Sequence, residues 1–134
     1  MRAQVSIELI IVVIVIVGIF SFILTAIIGR ESEFVSTRTT LHAKEVAEEI
    51  AFSVNEVFLA GPNATRKITI PETLRGNIQY NITYYENARL LYLSYDSKNY
   101  SVPLLTSNIT GVFTKGSINI SYVKGGIRIN ISDD

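Results

Sequence analysis

Apolar and polar positions follow three regimes along the chain. From Leu9 to Ile28 no residue is charged, and Gly18, Ser21 and Thr25 are the small or polar breaks in a run of Ile, Val, Leu and Phe. Twenty helical residues at about 1.5 Å rise cover about 30 Å, the thickness of a bilayer's hydrocarbon core. Apolar side chains on every face leave no water-facing stripe, so the pattern predicts a membrane-spanning helix rather than a soluble core helix. From Arg30 to Ala60 neither Pro nor Gly occurs, and apolar residues recur at three- and four-residue steps: Phe34, Leu41, Val46, Ile50, Val54, Val57 and Phe58, with Ala43, Ala47 and Ala51 between. Charged residues such as Arg38, Lys44, Glu45, Glu48, Glu49 and Glu56 fill much of the remainder, which predicts an amphipathic continuation of the same helix with one apolar stripe. The β-branched stretch "STRTT", Ser36 to Thr40, has low helix propensity and marks an expected break or bend, and Gly61-Pro62 ends the helix.

After Pro62 the period falls to two. "NIQYNITYY" alternates Ile78, Tyr80, Ile82 and Tyr84 with Gln79, Asn81 and Thr83; "SINISYV" and "IRINIS" do the same with Ile118, Ile120, Tyr122 and with Ile127, Ile129, Ile131. These read as half-buried antiparallel strands, and "KITI", "ARLLYLSY", "YSVPLL" and "ITGVFT" are further candidates, with Pro103 pointing to an edge. Turn signals stand between them at "YEN", "DSKN", "KGS" and "KGG". The expected class is α+β: a long hydrophobic N-terminal helix, then a small antiparallel β-sheet or sandwich whose open face is covered by the helix's apolar stripe.

Composition narrows the chemistry. The 12 basic and 12 acidic residues cancel, which argues against nucleic acid as a default partner. There is no cysteine and a single histidine, so thiol catalysis, disulfides and multi-histidine metal sites are excluded. His42 is read as an exposed or hydrogen-bonded polar residue rather than a ligand. No nucleophile motif, phosphate-cradling glycine loop or framed carboxylate pair stands out, and Asp133 and Asp134 are tail residues. The expectation is a non-enzymatic protein with no cofactor and no metal.

One polar residue is out of place. Glu8 stands at the entrance of the apolar run, inside "QVSIELIIV", Gln4 to Val12. At its far end the run gives way to "GRESEF", unlike the small-residue cleavage site of a secretory signal. The segment instead resembles the class III signal of archaeal type IV pilin-like proteins, in which a short basic leader precedes Q-x-S-x-E-x-x-x-L. Gln4, Ser6 and Glu8 match that pattern, and Val12 stands where the family has Leu. The motif covers under a tenth of the chain; the likeness of the remainder is architectural. The resemblance implies a leader of residues 1–3, cut between Ala3 and Gln4 by a prepilin peptidase on the cytoplasmic face. It further implies that Glu8 neutralises the new Gln4 amine, of its own or a neighbouring subunit, as helices leave the bilayer and bundle on an assembly platform. The parts are then a leader at 1–3, a membrane and filament-core helix at 4–29, its amphipathic extension at 30–60 and an extracellular antiparallel β domain at 61–134. Arg2 before the span, against Arg30 offset by Glu31 and Glu33 after it, orients the N-terminus inside.

N-x-[ST] sequons recur at Asn63, Asn81, Asn99, Asn108, Asn119 and Asn130. In the three clearest strands the sequon Asn falls on the polar face, where a glycan projects into water; the same pattern also makes a plain polar strand face without sugar. Three functions fit: the structural subunit of a surface filament, a minor or adhesive subunit of one, or an uncut single-span membrane protein displaying a glycosylated ectodomain.

Overall fold

The computed structural model describes residues 2–132, apart from the side chains at 2, 3 and 30–32. The expected leader residue Met1, the side chains of Arg2 and Ala3, and the tail residues Asp133 and Asp134 lie outside that description. The protein is α+β. Helix α1 (Arg2–Ala60) is followed by strands β1 (Thr65–Ile70), β2 (Asn81–Tyr85), β3 (Leu90–Tyr95), β4 (Lys98–Pro103), β5 (Ile109–Thr110), β6 (Gly116–Val123) and β7 (Gly126–Ile131). The chain divides into two compact units, Met1–Thr37 and Arg38–Asp134.

In the first unit the apolar residues from Val5 to Ile28 are exposed on all sides of the helix. The Thr25 hydroxyl donates to the Ser21 carbonyl one turn back at 2.9 Å, which lets a hydroxyl sit in lipid without an orphaned donor. This segment makes α1 long and apolar enough to cross a membrane.

The second unit is built on two sheets. β1, β6, β7 and β5 form one in that order, and β2, β3 and β4 form the other. β6 pairs antiparallel with β1 and β7, through Ile68↔Ile118 and Ile120↔Ile129 among others; β3 pairs antiparallel with β2 and β4. Between and against them lies the helix from Thr39 onward. Ala43, Val46, Ala47, Ile50, Ala51, Val54 and Val57 join Ile68, Ile70, Leu91, Leu93, Ile118, Ile120, Ile127 and Ile129 in one buried cluster. The alanines recur every four residues and so share the face turned to that cluster. Polar bonds fix the register. Tyr95 Oη donates to Thr40 Oγ1 at 3.0 Å, Tyr100 Oη donates to Glu48 Oε1 at 3.0 Å, and the Leu105 N–H donates to Asn55 Oδ1 at 2.9 Å. The helix ends at Gly61, whose left-handed φ of 79° and N–H bond to the Val57 carbonyl close the last turn before Pro62.

Four details depart from the sequence pattern. Helix α1 has no break at "STRTT". Thr39 is buried there and donates to the Arg75 carbonyl at 2.9 Å, and Thr40 receives Tyr95, so tertiary bonds outweigh low propensity. Phe34 and Leu41 do not join the core-facing stripe; both are exposed. "NIQYNITYY" is a strand only from Asn81, because Ile78 closes an isolated bridge to Leu74 and Tyr80 turns its hydroxyl to the Pro71 carbonyl. Finally, the sheets are not wholly antiparallel: β5 pairs parallel with β7 over two residues. Gly111, at φ 109°, follows β5 with its Cα against the Ile129 carbonyl, where a Cβ would clash.

Candidate functional site

The first candidate is the entrance of the apolar helix. Gln4, Ser6, Glu8 and Val12 all lie in α1, with their side chains exposed. Gln4, Glu8 and Val12 follow at four-residue steps and therefore share one helix face, while Ser6 lies on another. Glu8 makes no ion pair among the described residues. It is thus an open carboxylate bordered by Val5, Leu9 and Val12, and it needs a cation if that face is taken out of water. Downstream, Gly18, Ser21, Thr25 and Gly29 fall on one side of the helix, a strip of small residues along which a second helix can approach closely.

A second feature was not read from the sequence. Leu41, Phe52 and Leu59 are 60%, 61% and 73% exposed. Steps of eleven and seven residues return to within about 20° of the same direction, so the three share one face, opposite the buried Ala43, Ala47, Ile50 and Val54. The second half of α1 therefore carries a core-building apolar stripe and, opposite it, three exposed apolar residues set among Glu45, Glu48 and Glu56. Phe34, seven residues before Leu41, is exposed too. The sequence offered the signal in the seven-residue spacing of Phe34 and Leu41 and again of Phe52 and Leu59, but three- and four-residue steps alone could not assign these residues to a separate face. Part of the outward face is occupied from within: the Arg66 guanidinium lies 5.6 Å from the Phe52 ring centroid while pairing with Glu56.

The sequons are the third feature. Asn63, Asn81, Asn99, Asn108 and Asn130 are exposed, and Asn119 is half-buried. Asn63 occupies the turn after α1 at φ 68°. Asn119 and Asn130 stand directly opposite each other on β6 and β7, with Lys67 on the other side of Asn119. Asn108 is structurally engaged: its carbonyl accepts the Ile127 N–H at 2.8 Å, and its amide rests against Gly126, where an added Cβ would meet Nδ2 at 2.6 Å.

His42 and Tyr80 each tie a loop in place. His42 Nδ1 accepts the Arg75 N–H at 3.0 Å and so helps Thr39 hold the Arg75 loop on the helix. Burial, and secondarily the Glu72 carboxylate, pushes the Tyr80 hydroxyl up to about 12. No group of three or more His, Cys, Asp or Glu suited to a metal occurs among the described residues. No protein-family model, curated protein or solved structure matches the chain.

Proposed function

We propose that the chain is the structural subunit of an archaeal type IV pilus-like surface filament. It enters the membrane as a precursor with its N-terminus in the cytoplasm, loses residues 1–3 to a prepilin peptidase, and is assembled by a pilus platform through its N-terminal helix. Homo-oligomers form as the helix exchanges lipid for neighbouring copies, and the β domain, carrying N-linked glycans at some of its sequons, stays on the outer surface.

The observation that carries this reading is the apolar run of α1, exposed on every side to Ile28 with the single carboxylate Glu8 at its entrance, together with exposed apolar residues further along the same helix. A single anchor needs only the lipid-facing run to Ile28. The outward face carrying Leu41, Phe52 and Leu59 lies beyond the span and stays exposed in a lone ectodomain. A bundle of copies covers it. Glu8 supports the same reading: its burial in a bundle requires the Gln4 amine that cleavage creates.

The second reading is an uncut single-span protein with the same ectodomain, favoured by nothing beyond the length and apolarity that both share. Substituting Glu8→Ala separates them. Filaments should disappear from the cell surface by electron microscopy while the protein still fractionates with membranes; filaments at normal abundance with Glu8→Ala would overturn the pairing role. A minor or adhesive subunit follows the same assembly chemistry and differs in copy number, read from the stoichiometry of purified filaments.

A further inference from the structure

The outer face of the three-stranded sheet is concave. Two depressions, of about 460 and 320 Å³, lie side by side on it and share Ser94 and Asn99 as common walls. The larger is bounded by Thr83, Tyr85, Tyr92 and the hairpin residues Glu86 to Ala88; the smaller continues toward Gln79, Asn81 and Lys98. Tyr85 and Tyr92 meet edge-to-face, ring centroids 5.0 Å apart at 78°. Aromatic residues on the water face of a sheet need a reason, since Tyr84, Tyr95 and Tyr100 of the same strands turn inward to the core. A cross-strand aromatic pair supplies part of it. The lining supplies the remainder: hydroxyls and amides that both donate and accept, beside apolar ring surface, with one carboxylate and no cation in the larger depression. That combination repels phosphate and nucleic acid and is too polar for an acyl chain. It fits the alternating C–H and O–H faces of a sugar ring.

The sequon Asn99 stands in this trough. The register places Asn81, Ser94 and Asn99 in one row across the sheet, with Thr83, Tyr92 and Ser101 in the next. Asn81 borders only the depression away from the tyrosines, whereas Asn99 borders both. Asn119 and Asn130 lie on the other sheet beside Lys67 and Arg128, with no outward tyrosine. We infer that the saccharide linked to Asn99 is seated in this trough, its first rings lying against Tyr92 and Tyr85 and hydrogen-bonded by Ser94 and Thr83. This rests on the reading of the sequons as glycosylated. In the linkage step, Asn99 Nδ2 attacks the anomeric carbon of a lipid-linked sugar diphosphate. The new C–N bond replaces the C–O bond, the lipid diphosphate leaves with the bonding pair, and the amide gives up one proton. A glycan so seated is an ordered part of the surface. It covers the tyrosine pair and lies along β4, one of the two edge strands of the sheet.

Full-length protein purified from its native host in a sugar-free zwitterionic detergent provides the test. Glycopeptide mass spectrometry should find Asn99 occupied, and NMR should show nuclear Overhauser contacts from sugar ring protons to the Tyr92 or Tyr85 rings. Tyr85→Ala should remove those contacts, and it should lower the melting temperature of the glycosylated chain by about 4 °C more than that of chain made without glycosylation. Three outcomes overturn the inference. An occupied Asn99 whose sugar has no tyrosine contact removes the seat and leaves glycosylation standing. A bare Asn99 beside other occupied sequons does the same, and free neutral oligosaccharide then shifting the Tyr92 resonances would make the trough a site for external glycans instead. Six bare sequons remove both the seat and the glycosylation on which it rests.

Discussion

Ser53 sits fully buried on the core face of α1, and its hydroxyl has no hydrogen-bond partner among the described residues. An orphaned buried donor costs more than the same site filled by a methyl group, and Ala also has the higher helix propensity. Ser53→Ala is therefore expected to stabilise the β domain by about 1 kcal/mol, seen as a higher denaturant midpoint at unchanged slope. Tyr80 behaves in the opposite sense. Its hydroxyl is buried, donates to the Pro71 carbonyl and is held up at about 12 against an ordinary value of 10.0. A folded-state value above the unfolded one means the contribution is complete below pH 10 and drains away as the pH climbs toward 12. Tyr80→Phe should cost about 1 kcal/mol at neutral pH through the unpaired carbonyl, yet lose less stability than the parent between pH 10 and 12. Equal slopes in that window for both proteins would exclude this role. On β6 and β7, Asn119 and Asn130 face each other one strand apart, with Cβ atoms about 5 Å from one another. Two branched glycans do not fit side by side at that spacing. Glycopeptides spanning both residues should carry one glycan at most, and doubly modified peptide as the main species would contradict the register.

At the scale of elements, the second half of helix α1 has two unlike faces. Its inner stripe of Ala43, Ala47, Ile50 and Val54 closes the core, while Leu41, Phe52 and Leu59 on the opposite face are exposed. Leu41→Ser together with Leu59→Ser should leave the melting temperature of the detergent-solubilised chain within about 2–4 °C of the parent, because exposed positions contribute little to folding. The same pair should sharply reduce filament yield. An unaltered yield would mean that this face serves no contact between copies. The strands and the helix were legible because Ile and Tyr alternate with Asn, Thr and Ser at a period of two, and because nothing interrupts the helix before Gly61. The exposed set was not. Phe34 and Leu41 fit the three- and four-residue rhythm well enough to be absorbed into the core stripe, and only burial separates them from it. The parallel pairing of β5 was equally hidden. It depends on the loop after Pro103 delivering Ile109 beside Ile127, and on Gly111 fitting against a carbonyl, neither of which local periodicity encodes. The Asn99 trough was half legible: the sequon is in the sequence, while the row that sets it near Tyr92 exists only once the register is known.

For the whole molecule, the two compact units carry separable physics. The second unit folds around its own core of one helix half and two sheets. Among the described residues of the first none is buried; those up to Ile28 present apolar surface on every side and one carboxylate, Glu8, at the entrance. Such a segment is stable in lipid or among its own kind, and transfer between the two is nearly neutral in hydrophobic terms. Packing, the small strip of Gly18, Ser21 and Thr25, and the neutralisation of Glu8 must then decide the balance. In the proposed assembly, cleavage before Gln4 would supply the cation that Glu8 needs on burial. The intact mass and first residue of the main subunit in filaments sheared from the cell surface bear on this directly. A subunit beginning at Gln4 is the expected result. Full-length chain found only in the membrane fraction, with Met1 retained and no filament containing it, would contradict it.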